Sequence, residues 1–301
     1  MDVERLRLLR ELADRGTVAA TAHAMSLTPS AVSQQLKTLQ REAGVELLEP
    51  AGRRVRLTEA GRLLVARADE VLGALDRARA EMEAYRTTPR GAVRVALFPS
   101  GAAMLLAGLI TRAAAAGVDV SGRDIDRPAA DAPVLLADHD VVGVHRDERD
   151  ITPWSPRFEA RVLLREPLEV VLPPGHALAA EDRITLGQLA DQPWIGVEGG
   201  LMVDDVLRSL ALISGVAPRI VQRVNDFRVV EELVLAGVGV ALLPRYVLTA
   251  RELVRRPLSG VRVARRIEAV TRAGADARPA VAAALRILQE LADETVCRSS
   301  E

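Results

Sequence analysis

Cysteine is almost missing from this chain of 301 residues: Cys297, near a polar C-terminus, is the only one. One thiol closes no intrachain disulfide and builds no cysteine cluster for a metal, and a peroxide sensor that pairs two of its own cysteines is excluded. Long apolar runs are missing too. None approaches the roughly 18 residues that make a spanning helix plausible, so no membrane partner is expected. The opening MDVERLRLLRELADRG is charged at nearly every turn and lacks the apolar core and small-residue cleavage site of an export signal. Histidine is sparse, and His23, His139, His145 and His176 stand in neither H-x-x-x-H nor H-E-x-x-H spacing. Asp138, His139 and Asp140 read as a solvated loop rather than a metal site. Serine-hydrolase and P-loop signatures are absent as well, so neither catalysis nor a cofactor is expected.

What is present fits a soluble, cytoplasmic protein of about two domains, too long for one ordinary core. At 49% hydrophobic and 27% charged residues, it is neither disordered nor membranous. The net charge of -1 hides a weak asymmetry: residues 1–90 hold 15 Lys/Arg against 13 Asp/Glu, and the remainder 25 against 28. Clustering says more than the totals. Arg53, Arg54 and Arg56 fall within four residues, and Lys37 is the sole lysine.

Leu6, Leu9 and Ala13 recur at helical spacing, and Gly16 ends that run as a left-handed cap. An alanine-rich helix follows over residues 18–25, then a tight turn at Ser26 and Leu27. Thr28 as N-cap and Pro29 at the first helical position start a third helix that runs to about Glu42. Two helices joined so tightly make a helix-turn-helix. On the third helix Val32, Leu36 and Leu39 form an apolar stripe, and Ser30, Ser33, Gln34 and Lys37 a polar one that can reach base edges, as Gln does to adenine. A merely solvated face is the plainer alternative. The tight turn before the helix and the arginines after it weigh against that. Thr28, Ser30, Ser33, Gln34 and Lys37 are therefore candidate DNA-binding residues, joined by Arg53, Arg54 and Arg56 in a hairpin wing over residues 51–58 that would meet phosphate.

Residues 6–61, and above all GTVAATAHAMSLTPSAVSQQLKTLQREAGVELLEPAGRRVRLTEAG, resemble the N-terminal domain of LysR-type regulators. The likeness lies in the helix order, the AVSQQL recognition segment, the G-x-x-L-L turn and the R-x-x-L-T-x-A-G exit. This sequence departs from the family pattern at Gln40 (usually Glu), Leu48 (Phe) and Pro50 (Arg).

From Thr58 no proline interrupts the chain until Pro89. Gly61, Leu64, Ala68, Val71, Leu75, Ala78, Met82 and Tyr85 recur at gaps alternating between 3 and 4, a heptad repeat that implies a coiled-coil seam with a second chain. Packing against the chain's own C-terminal part is the alternative. In the family this helix dimerises, with residues 87–91 as the hinge beyond it.

After Ala92, short β-rich runs (VRVALF, VDVSGRDI, DVVGVH, LEVVLP, PWIGV, RIVQRV, GVALLP) alternate with helices, the pattern of α/β lobes. REPLEVVLPPGHALA, LGQLADQPWI and VVEELVLAGVGVALLP resemble, more weakly, the LysR effector domain. That resemblance implies the two-lobed fold of periplasmic binding proteins. The expected organisation is multidomain α+β: a winged helix-turn-helix in residues 1–58, a dimerisation helix in 59–86 and an effector domain in 87–301. Lobe one would take 92–160 and 266–301, lobe two 161–265.

Ser100 and Gly101 stand before a helix expected near Ala102, where free amides and the helix dipole favour an anion. Gly199 and Gly200 precede a helix from about Val203 on the other lobe, and Phe227 opens another beside Asn225. These five (Ser100, Gly101, Gly199, Gly200, Phe227) are the candidate effector contacts, with capping and core roles as the plainer readings. His145, at a strand end near the cleft, is a lesser one. The expected activity is effector-gated control of transcription without catalysis, with double-stranded DNA, a small anionic effector and further copies of the chain, as homodimer or homotetramer, as partners. The resemblance implies a tetramer that bends promoter DNA and relaxes the bend on ligand binding. An enzyme fused to a DNA-binding domain, as in ligase-repressors, would need a nucleotide loop or catalytic cluster. A solute-binding receptor would lack the first 90 residues and carry an export signal.

Overall fold

A computed structural model describes residues 1–51, 54–84, 91–199, 201–215, 217–260 and 262–299. Arg53, Gly200 and Tyr85 lie outside the described residues, and Arg54 is described in its backbone alone. Among the described residues, no helix is long and apolar enough to cross a membrane.

The chain opens with α1 (Val3–Arg15), α2 (Val18–Ala24) and α3 (Pro29–Ala43), followed by the antiparallel pair β1 (Leu48–Ala51) and β2 (Arg54–Leu57). Gly16 ends α1 at φ 72°, with its N–H donating to the Leu12 carbonyl. Thr17 and Thr28 cap α2 and α3, each side-chain oxygen accepting from the amide three residues on. Leu9, Val32, Leu36, Leu39 and Leu47 are buried together in this unit's core. The wing starts earlier than the arginine cluster indicated: Leu48 pairs with Leu57 and Pro50 with Val55, so residues before position 51 form its first strand. Pro50 can sit there because both strands of a two-stranded sheet are edges. Gln40, one of the departures from the family pattern, accepts through its side-chain oxygen from the amides of Leu47 (3.1 Å) and Leu48 (2.9 Å), a task a carboxylate oxygen also performs.

Thr58 caps α4 (Glu59–Ala84), accepting from Gly61 N–H at 3.0 Å while donating to the Glu46 carbonyl. The heptad seam divides here. Gly61 and Ala68 face inward: Ala68 joins the reader's core with Val65, and a Cβ on Gly61 would lie 2.2 Å from the Leu47 carbonyl oxygen. Those two positions are therefore not free for a partner. From Val71 onward the stripe emerges, with Val71 42% and Met82 60% exposed and Leu75 half-buried. The first turns of α4 cover the chain's own core, while Val71 and Met82 in the later turns stay exposed.

The C-terminal part runs β3 (Gly91–Leu97), α5 (Pro99–Ala115), β4 (Val118–Asp124), α6 (Ala132–Leu135), β5 (Val141–Asp147) and the long β6 (Phe158–Leu172). Then come β7 (Pro193–Gly196), α7 (Met202–Ser214), β8 (Arg219–Arg223), α8 (Phe227–Leu235), β9 (Val240–Pro244), β10 (Val254–Arg256), β11 (Ala264–Arg272) and α9 (Pro279–Arg298). The strands line up as β4-β3-β5-β11-β6-β9-β7-β8, with β10 beside β6. One strand, β6, therefore serves two lobes. It pairs with β11 from Phe158 to Pro167 and with β9 from Leu168 on, so the changeover falls at Pro167 and Leu168. A bulge interrupts the first ladder: Ile267 faces Leu164 and Glu268 faces Val162, leaving Leu163 as the extra residue. Its carbonyl accepts from the Gln289 amide on α9 at 3.0 Å. The lobes carry separate cores, one around Val95, Leu109 and Leu288, the other around Leu168, Val170 and Leu172 with Trp194 and Val206.

Charge joins the DNA-reader unit to lobe one. Asp14 on α1 has no side-chain exposure and accepts from Arg157 at 3.0 Å and Arg272 at 2.5 Å, both from lobe one. Asp69 on α4 pairs with the same two arginines, at 2.5 Å and 3.6 Å. Arg15 adds a bond to Asp138 at 2.8 Å. Asp14→Ala should lower stability by about 3 kcal/mol, because it leaves two largely buried arginines to share the Asp69 carboxylate. Thermal unfolding should then show Tm falling by roughly 6–10 °C. An unchanged Tm would mean that the junction contributes nothing.

Candidate functional site

Two surfaces concentrate the chemistry. On α3 the polar stripe is open: Thr28, Ser30, Gln34 and Lys37 are exposed and Ser33 is half-buried, while Val32, Leu36 and Leu39 on the other side anchor the helix. Thr28 is also structural, accepting from Ala31 N–H at 3.2 Å and sharing a 3.0 Å hydrogen bond with Ser30. In the wing, Arg56 is exposed but paired with Glu49 at 2.7 Å, so its charge is partly answered within the hairpin. The backbone of Arg54 lies on β2 beside it.

The second surface is a cavity of about 630 Å³ between the lobes. Lobe one contributes the start of α5, and lobe two the starts of α7 and α8, so three helix beginnings converge on one space. Helix α5 begins at Pro99 rather than near Ala102, because proline suits the first helical position. Ser100 and Gly101 accordingly sit within its first turn, where amides have no intrahelical acceptor. Ser100 lines the cavity, and so does Phe227. Gly101 and Gly199 do not. Gly101 is small for a packing reason, since a Cβ there would meet the Phe98 ring at 2.7 Å, and Gly199 lies in an exposed turn before α7. Asn225 is at the cavity, but its side-chain oxygen accepts from Glu198 N–H at 2.9 Å and holds the loop.

The floor of the cavity carries a group that the sequence did not single out. Arg265 on β11 and Glu166 on β6 face each other across the ladder, 1% and 0% exposed, with the guanidinium 2.7 Å from the carboxylate. Glu166 accepts further from Tyr246 N–H at 2.6 Å. Arg265 Nη2 also donates to Ser100 Oγ at 3.0 Å, and the guanidinium stacks over the Phe98 ring, 5.1 Å from its centre. Phe98 in turn meets His145 edge-on at 4.5 Å. Burial, reinforced by the Arg265 charge, pushes the His145 imidazole down to about 3, so it is neutral at physiological pH. Its Nδ1 is closed off from solvent without a hydrogen-bond partner. Met104, Met202 and Val203 supply apolar wall. Asp124 and Asp126 stand at the rim, and burial raises Asp126 above the usual carboxylate range. The arrangement can hold a small molecule by an apolar body and a polar head. His145, a lesser candidate on sequence grounds, lines the same space.

A signal for the missed pair does exist: Glu166 in REPLEVV and Arg265 in VARRIEAV are charges set inside strand-like apolar runs, where burial demands a partner. The pairing itself joins positions 99 apart and needs the sheet.

Comparison with known proteins agrees with this geometry. Residues 3–62 match the bacterial regulatory helix-turn-helix family of lysR type, and residues 86–293 match the LysR substrate binding domain. The chain is 28% identical to the uncharacterised HTH-type transcriptional regulator YnfL of Escherichia coli over 251 residues, 81% of this chain and 82% of the relative. It is 25% identical to the RuBisCO operon transcriptional regulator of Allochromatium vinosum over 99% of both chains. In fold it is similar to a full-length OxyR variant from Pseudomonas aeruginosa, with a TM-score of 0.63 at 19% identity over 96% of this chain and 98% of that one. A DNA-reading face at one end, a cavity between two lobes at the other and family matches to both parts lead to one conclusion. The chain belongs to the LysR family of transcriptional regulators, with an N-terminal helix-turn-helix domain that binds DNA and a C-terminal domain that binds an effector.

Proposed function

We propose that residues 1–58 read the operator, residues 59–86 dimerise, and residues 87–301 hold a small anionic effector between their lobes, in a cytoplasmic homodimer or homotetramer that performs no catalysis. The observation that carries this reading is the placement of Ser100. It lies in the first turn of α5, on the cavity wall, 3.0 Å from a buried arginine. Helix dipole, unpaired amides and guanidinium all favour negative charge at that spot. Asp124 and Asp126 set an opposing field at the rim, so the anionic head belongs deep, at Ser100, with its apolar body against Met104, Met202 and Phe227.

Thermal-shift screening of matched carboxylates and their neutral amides tests the effector class. A bound carboxylate raises Tm by mass action. Ser100→Ala should weaken that response and leave effector-free DNA binding unchanged; stabilisation by neutral or cationic compounds alone rejects the anion.

Base reading is assigned to Gln34, exposed on α3. Gln34→Ala should weaken binding by about 1–3 kcal/mol on a duplex selected by the protein from a random pool, and hardly at all on a scrambled one. Equal losses on both duplexes would make Gln34 a backbone contact.

The exposed Val71 and Met82 of α4, with half-buried Leu75 between them, are assigned to the partner chain. Leu75→Glu places a charge in that seam, so sedimentation should show dissociation of the oligomer and DNA binding should weaken with it. An intact oligomer would remove this helix from the interface.

A further inference from the structure

A second cleft, of about 210 Å³, opens where the reader unit, α4 and lobe one meet, and it shares no lining residue with the cavity between the lobes. Its walls are rich in guanidinium: Arg10 comes from α1, Arg77 from α4, Arg94 from β3, Arg272 from the end of β11, and Arg278 from the residue before α9. Three carboxylates face them, Asp69, Asp76 and Asp140.

Carboxylates are in short supply there. Asp140 serves both Arg278 at 2.7 Å and Arg94 at 3.6 Å. Asp69, and Asp14 behind the cleft, are each divided between Arg157 and Arg272. Asp76 is paired with Arg79 at 3.6 Å. Among the described residues Arg10 reaches only Glu11, at 3.4 Å, and Glu11 is already bound to Arg15 at 2.9 Å. Arg77 has no hydrogen bond or ion pair among the described side chains. Its Nη1 lies over two glycines, 3.1 Å from where a Cβ on Gly274 would stand and 3.5 Å from one on Gly73.

Unmet donors show the same deficit. Arg10 Nε and Arg272 Nη1 are shut off from solvent without an acceptor; the nearby Asp69 Oδ1, 3.6 Å from Arg272 Nη1, is too distant for a hydrogen bond and is itself unsatisfied. Burial and the neighbouring Arg272 charge also disfavour the protonated form of Arg10. Five guanidinium groups against three carboxylates leave the walls of the cleft with an excess of positive charge.

We propose that this cleft binds a small oxyanion, a phosphate or a carboxylate, gripped at once by the reader unit, the linker helix and lobe one. A planar guanidinium presents paired donors suited to such an anion. At roughly 30 Å³ per water molecule, the cleft has room for the anion and part of its hydration. Because all three parts contribute ligands, the anion stabilises their present arrangement and biases the orientation of the reader unit, by linkage.

The test is calorimetric titration of the full chain with inorganic phosphate, and separately with acetate, each at constant ionic strength set with chloride. Saturable binding of either anion is expected, at least fivefold weaker in Arg77→Gln and in Arg94→Gln. The anion bound tells which oxyanion the cleft prefers. Two variants on opposite walls, each with a wild-type melting curve, separate loss of the site from loss of fold. The proposal is overturned by absence of saturable binding of both anions, or by equal binding in the arginine variants and the wild type.

Discussion

The Asp14 carboxylate is the point on which the arrangement of the molecule turns. It sits on α1 with no side-chain exposure, yet both of its partners, Arg157 and Arg272, belong to lobe one. A buried charge is tolerated only with its counter-charges in place, so the docking of the reader unit on the effector domain is specified by charge geometry as well as by apolar contact. Charge also makes this junction different in kind from the cores on either side. The reader core and the two lobe cores are built from Leu, Val and Ala in close contact, which tolerate little sliding. Ion pairs among long arginine side chains can exchange partners over a few ångströms, and Asp69 and Asp140 are each already shared. The parts that must stay rigid are apolar, and the seam between them is ionic.

At the other end of lobe one, a second buried ion pair performs a related task. Arg265 and Glu166 lie where β6 passes from one lobe to the other, and the guanidinium touches Ser100 and the Phe98 face. The strand crossing, the helix start and the aromatic wall are thus linked through one side chain.

The reader unit was legible because its signals are local. A capping threonine, a proline at the first helical turn and a left-handed glycine act within a few residues, and the helix starts and stops follow them closely. The seam on α4 was legible as a period but not in its division, since the heptad spacing of Gly61 and Ala68 does not reveal that the chain's own reader core covers them. For the effector domain, strand-like runs gave the α/β lobes, and the helix beginning at residue 99 brought Ser100 to the cavity. Gly101 and Gly199 misled: glycine before a helix reads as room for a ligand, whereas Gly101 makes room for Phe98. The Asp14 junction was illegible because its partners come from elements far apart in the chain, and the Arg265 pair was legible only as two charges inside apolar strand-like runs, its pairing being set by the sheet.

The bulge in β6 carries a consequence of its own. In an unbroken pleat, side chains two positions apart share a face, so Val162, Leu164 and Glu166 would all point the same way. Here β11 advances by one residue while β6 advances by two, and Val162 and Leu164 fall on opposite sides, half-exposed and buried respectively. Leu163 thereby resets the parity of the strand, and Glu166 turns inward with Leu164 instead of outward with Val162. The position of the buried acid is thus encoded by the number of residues in the strand as much as by their identity. In a strand without that bulge Glu166 and Val162 would share one face, and the acid could not lie inside while Val162 stays exposed.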